Sequence, residues 1–128
     1  MVQNKITVAI VDDSEVIRTR LQQKIERQDD FKIVWTAESA PDAMNEYSNE
    51  TPDVIILDLQ LKDSSGFRFL ENIRKVDNDT KVIMLTNFPY TTFKNKFMNL
   101  GGNYFFDKTN ELEKVIEVLN NFKNEKAN

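Results

Sequence analysis

Val54-Ile55-Ile56-Leu57 is an unbroken apolar run that stops at a single carboxylate, Asp58. A strand with one wet face alternates apolar and polar residues. This run does not alternate, so it suits a strand covered on both faces in the middle of a parallel sheet. Parallel neighbours need crossover connections, which constrains the chain to alternate strands with helices. An acid at the carboxyl end of such a strand lies where open α/β sheets bind ligands. Taken alone, Asp58 is better explained as a cap of the strand or the next turn. It gains meaning only if other strands bring polar partners to the same edge.

The chain in order supplies them. Lys5–Val11 reads as a first strand ending at Asp12 and Asp13, with Ser14 as N-cap of a helix from Glu15 to about Arg27. Its apolar face is Ile17, Leu21 and Ile25. Phe31–Ala37 is a second strand, and Ser39 with Pro41 starts a short helix reaching about Asn49. After the central strand, Ser64-Ser65-Gly66 turns into a third helix, Phe67 to about Val76, facing inward with Phe67, Leu70 and Ile73 or Arg74. Lys81–Leu85 is a fourth strand ending at Thr86, Thr91–Leu100 a weakly amphipathic helix, and Gly101-Gly102 its stop. Asn103–Phe106 is a short fifth strand followed by Asp107-Lys108-Thr109, and Glu111–Phe122 closes the fold as a helix. Lys123–Asn128 is expected to be a polar tail.

The expected architecture is one domain over residues 1–128, an α/β fold in three layers: a parallel sheet of five strands with helices on both faces. Four strands then deliver polar residues to one rim: Asp12 and Asp13, Asp58, Thr86 and Lys108. The chain has no Cys and no His, so disulfides, thiolate sites and imidazole bases are excluded, and any metal must be a hard cation on oxygen ligands. A net charge of −4 argues against direct nucleic-acid binding. No apolar run approaches a membrane span and Met1–Lys5 has no signal layout, so a cytoplasmic location is expected.

Clustered carboxylates raise one another's pKa, and a divalent cation such as magnesium removes that conflict. A lysine and a hydroxyl on the same rim would suit a phosphoryl group. Together they offer what an aspartyl-phosphate site needs: a carboxylate nucleophile, a metal and fixed donors. Singly, Asp12 and Asp13 are explained as first-turn acids matching a helix dipole, Thr86 as a strand-end hydroxyl and Lys108 as a solvated lysine. One shared site explains all of them at once.

The order Asp12-Asp13, Asp58, Thr86 and Lys108, with Gly66 eight residues past Asp58, resembles the receiver domain of bacterial two-component response regulators, from about Lys5 to Phe122. The resemblance implies a CheY-like, flavodoxin-like doubly wound sheet of strand order 2-1-3-4-5. It implies that Asp58 accepts a phosphoryl group from the phosphohistidine of a sensor histidine kinase or histidine phosphotransfer protein. Asp13, Asp58 and the Gln60 carbonyl would bind Mg2+, and Asp12 would hold it largely through water. Lys108 would pair with the phosphoryl group, and Thr86 would move to bond it as Phe105 turns inward. Output would then pass to a downstream protein through the face of the fourth helix, fifth strand and fifth helix, and a homodimer formed on phosphorylation would use that face too. No independent substrate turnover is expected.

The sequence departs from the family pattern at Lys62 and Thr109, where prolines are usual, and at Asn87 and Phe88, which follow the switch threonine. A cis bond before Thr109 would cost more than one before proline. Asn87 and Phe88 lie near the path of an attacking water, so slow self-dephosphorylation is expected. With no effector domain after Phe122, output by binding or onward phosphotransfer is expected; the alternative is a receiver excised from a longer DNA-binding regulator. A flavodoxin-like cofactor binder would need a phosphate-cradling loop where Asp12-Asp13 stands. A magnesium phosphohydrolase would need an acid two residues beyond Asp58, where Gln60 stands. A pseudo-receiver that signals without phosphate fits less well, because all five site residues are present.

Overall fold

The computed structural model describes residues 5–127. Strands β1 (Ile6–Val11), β2 (Phe31–Ala37), β3 (Val54–Leu57), β4 (Lys81–Thr86) and β5 (Tyr104–Asp107) alternate with helices α1 (Glu15–Glu26), α2 (Ala40–Asn49), α3 (Gly66–Arg74), α4 (Thr91–Asn99) and α5 (Leu112–Ala127). All pairings in the main sheet are parallel, in the order β2-β1-β3-β4-β5. A small antiparallel hairpin, Gln60–Leu61 with Ser64–Ser65, stands between β3 and α3.

The central strand is covered on both sides, as its composition requires. Ile55 and Leu57 join Ala9, Val11, Val82 and Met84 in a core with Tyr47, Phe69, Leu70, Ile73 and Phe97 from α2, α3 and α4. Val54 and Ile56 join Val8, Ile10, Ile83 and Leu85 in a second core with Leu21, Ile25, Val115 and Leu119 from α1 and α5. Alternate residues of one strand feed opposite layers, which is the period-two geometry of an extended chain.

The side-chain oxygens of Ser14, Ser39 and Ser65 accept hydrogen bonds from the first turns of α1, α2 and α3. Helix α4 lacks such a cap and buries only Phe97, which explains its weak amphipathic pattern. Gly101, at φ 97°, ends it in a left-handed turn.

Three expectations are corrected. The residues from Lys123 to Ala127 are helix, not a tail: α5 runs on past Phe122, and Lys123 Nζ meets Asp30 Oδ2 at 3.1 Å; Asn128 lies outside the described residues. Strand β5 is displaced by one, so Asp107 pairs with Thr86 inside the sheet. Helix α3 stops at Arg74, buries Phe69 as well, and leaves Val76 81% exposed beyond its end. The Lys108–Thr109 peptide is trans, like every other among the described residues.

Candidate functional site

The sheet ladder carries the site residues one step beyond the strands. Asp12 N–H donates to the Ala37 carbonyl at 3.0 Å, Asp58 N–H to the Val11 carbonyl at 2.9 Å, and Lys108 N–H to the Thr86 carbonyl at 2.8 Å. Backbone pairing thus fixes three charged side chains on one rim before they touch each other. Gly66 closes the far side, because a Cβ there would stand 2.2 Å from the Asp58 carbonyl oxygen. Only a residue without a side chain lets α3 start so close to the site.

Lys108 Nζ bonds Asp12 Oδ2 at 2.7 Å and Asp58 Oδ2 at 2.9 Å, and all three side chains are at most 8% exposed. Asp12 Oδ1 accepts the Ser14 N–H at 2.8 Å, and Arg18 Nη1 donates to the Asp12 carbonyl at 2.7 Å. Asp13 is exposed, yet carboxylate oxygens of Asp12, Asp13 and Asp58 all lie within 4.8 Å of one another. Burial pushes the Asp58 carboxyl up to about 6 against the pull of the Lys108 hydrogen bond and charge, and nearby Asp12 adds to the rise. Burial alone would favour loss of the Lys108 proton. The two carboxylates outweigh it and hold the ammonium group above the ordinary lysine range.

Thr86 is fully buried, and its hydroxyl oxygen accepts the Phe88 N–H at 3.0 Å. Among the described residues the hydroxyl makes no hydrogen bond to the acid–lysine cluster. Phe105 is half-buried, with its ring 5.8 Å from that of Phe97 in α4. Asp58 and Lys108 open into a cleft of about 520 Å³, lined also by Asp13, Gln60, Asn87, Phe88 and Arg20. The structure therefore gathers Asp12, Asp13, Asp58 and Lys108 and sets Gln60 at the cleft wall, while Thr86 and Phe105 do not line the cleft. Arg18 and Arg20 escaped the sequence reading. They read as ordinary polar positions of an amphipathic helix, and only the turn of α1 over the rim brings them near.

An oxygen-only donor set of three close carboxylates fits a hard divalent cation, and the chain has no His or Cys to supply an imidazole or thiolate. Both Asp12 oxygens already accept hydrogen bonds, from the Ser14 N–H and from Lys108 Nζ.

Sheets wound in this order bind at this rim, so the fold is a flavodoxin-like α/β domain whose candidate site is lined by acids rather than a glycine-rich loop. Residues 8–120 match the family model of the response regulator receiver domain, and the chain belongs to that family. It is 26% identical over 121 residues to the sensory transduction protein LytT of Bacillus cereus, covering 94% of this chain and 48% of that protein. It is 28% identical over 117 residues to a nitrate/nitrite response regulator protein homolog of Haemophilus influenzae, covering 91% and 56%. The chain thus spans about half the length of these curated relatives. Among solved structures it is similar to the response regulator domain of Thermotoga maritima CheB, with a TM-score of 0.86, 25% identity and coverage of 94% and 98%. The non-phosphorylated HemR receiver domain from Leptospira biflexa gives a TM-score of 0.83, 27% identity and coverage of 93% and 94%. No helix among the described residues is long and apolar enough to cross a membrane.

Proposed function

We propose that Asp58 is the phosphoacceptor and that phosphorylation there switches the domain's outward face. The observation that carries this is the Lys108 ammonium group held between Asp12 and Asp58 at 2.7 and 2.9 Å on a buried rim. An Asp58 oxygen forms the new P–O bond as the P–N bond of a partner's phosphohistidine breaks. The departing imidazole keeps the electron pair and takes up a proton. Lys108, freed from Asp58 as the carboxylate is esterified, pairs with a phosphoryl oxygen. Asp13, Asp58 and the Gln60 carbonyl would hold Mg2+, with Asp12 acting through water. When bound, the cation neutralises the charge that builds on the phosphoryl oxygens.

Thr86 gives up its bond from Phe88 N–H to donate to the phosphoryl group, and Phe105 follows inward against Phe97. The two arrangements are pre-existing states whose populations shift. The face of α4, β5 and α5 is the readout, for a partner or for a second copy of the chain. Asn87 and Phe88 line the cleft over Asp58, so attack by water is slow; a half-life of minutes or less contradicts this. The cytoplasm, where kinases expose their phosphohistidine, is the proposed location. The relatives' greater length favours a second reading of the output, in which this receiver controls an effector domain in the same polypeptide.

Incubation with magnesium and acetyl phosphate, followed by intact mass, tests the proposal. One phosphoryl adduct is expected on the wild type, none on Asp58→Asn and none with chelator. An adduct that survives Asp58→Asn overturns it.

A further inference from the structure

The segment between Asp58 and α3 folds as the hairpin in which Gln60 pairs with Ser65 and Leu61 with Ser64, turning at Asp63 with φ 54°. Its inner side is fixed by Leu59 and Leu61, each 7% exposed, and by the Gly66 N–H bond to the Leu59 carbonyl at 2.8 Å. Its outer side is tied to a different element. The Ser64 hydroxyl accepts the Ala40 N–H at 2.9 Å and donates to the Lys62 carbonyl at 3.0 Å. Lys62 N–H donates to the Glu38 carbonyl at 3.1 Å.

Ala40 opens α2, whose own N-cap Ser39 serves Asp42. Ser64 therefore satisfies a helix-start donor from outside the helix. A proline at position 62 would have no N–H with which to reach Glu38. This chain holds with three hydrogen bonds a turn that a ring would hold by restricting the backbone.

We infer that Ser64 is a positioning residue for the cation site: by tying the hairpin to the start of α2 it fixes the Gln60 carbonyl at the rim, an inference that rests on the proposed ligand role of Gln60. Coupling of this kind is reciprocal. A cation that requires the Gln60 carbonyl in place also strengthens the tie, so the Ala40 amide reports on a site in which it takes no part. The side-chain pair of Lys62 and Glu38, 3.5 Å apart and 64% and 42% exposed, contributes little to this, because water screens it.

Magnesium titrations of the full chain, followed by calorimetry and amide spectra, test the inference alongside hydrogen exchange at Ala40. Ser64→Ala is expected to weaken magnesium binding by about three- to tenfold, the scale of one lost hydrogen bond. Ser64→Thr restores most of it, Glu38→Gln leaves it unchanged, and magnesium slows Ala40 exchange in the wild type. A wild type that binds magnesium with unchanged Ala40 exchange, or a folded Ser64→Ala that binds it equally well, overturns the inference and leaves the functional reading standing. A wild type that binds no magnesium overturns both.

Discussion

At the amino ends of β3 and β4, Asp77 Oδ2 accepts the hydroxyls of Tyr47 and Thr80, each at 2.5 Å, while Asp77 Oδ1 accepts the N–H groups of Asp79 and Thr80. Arg74 stands beside it, donating to the carbonyls of Gly101, Asp77 and Thr80 at 2.9, 3.0 and 2.7 Å and to Asn103 Oδ1 at 3.2 Å. At the opposite rim of the sheet, Asp58 beyond β3 meets Lys108 beyond β5, which it shares with Asp12 beyond β1. Burial works against the anion at both acids. At Asp77 the surrounding donors outweigh burial and hold the carboxyl far below the usual range; at Asp58 burial wins and pushes it up to about 6. One end spends its donors on a finished structural knot. The other leaves an anion short of partners, a deficit that the proposed cation or phosphoryl group would relieve.

Breaking each end separates the two roles. Lys108→Ala removes the fixed charge beside Asp58 and should slow phosphoryl uptake from acetyl phosphate by about 10²–10³-fold in an intact-mass time course. Arg74→Ala leaves several acceptors unpaired and should cost about 2–4 kcal/mol in urea unfolding, with phosphoryl uptake by the folded fraction unchanged.

The pH dependence sharpens the contrast. Asp58 has a raised folded pKa, so the metal-free native state binds its proton more tightly than the unfolded chain does. Its penalty is absent below the ordinary carboxyl value of 3.8, grows between there and about 6, and is complete above. Asp58→Asn should therefore stabilise the metal-free protein by about 1–3 kcal/mol at pH 7, with the gain gone below pH about 4. Asp77 has the opposite sign. Its contribution is present above the ordinary carboxyl value and is lost as pH falls toward its depressed folded value, so Asp77→Asn should be most costly at neutral pH. The smallest effect is Glu113→Gln at the exposed Lys24 pair, below about 0.5 kcal/mol.

The reactive end was far more legible in the sequence than the structural one. Asp12 and Asp58 directly follow apolar strands and Lys108 comes one residue after the expected fifth strand, so strand polarity places them on one rim. Asp77 sits in Asp77-Asn78-Asp79, which reads as a turn and nothing more. Its partner Tyr47 lies 30 residues away, and no local period signals that meeting. The hairpin at 60–65 was likewise hidden, because Ser64 acts through Ala40, 24 residues earlier. Phe69 was missed because an i, i+3 reading of a short helix samples too narrow a stripe, whereas α3 is covered along more of its face. Helix α5 ran beyond its apolar residues because polar side chains such as Lys123 still find partners there.

The most direct test is to locate the phosphoryl group itself. Borohydride reduces an aspartyl phosphate to homoserine, which peptide mass mapping assigns to one position. The account predicts homoserine at position 58 alone, formed only with magnesium present. Reduction at Asp12, Asp13 or Asp77, or at no aspartate in a protein that carries the adduct, would contradict it.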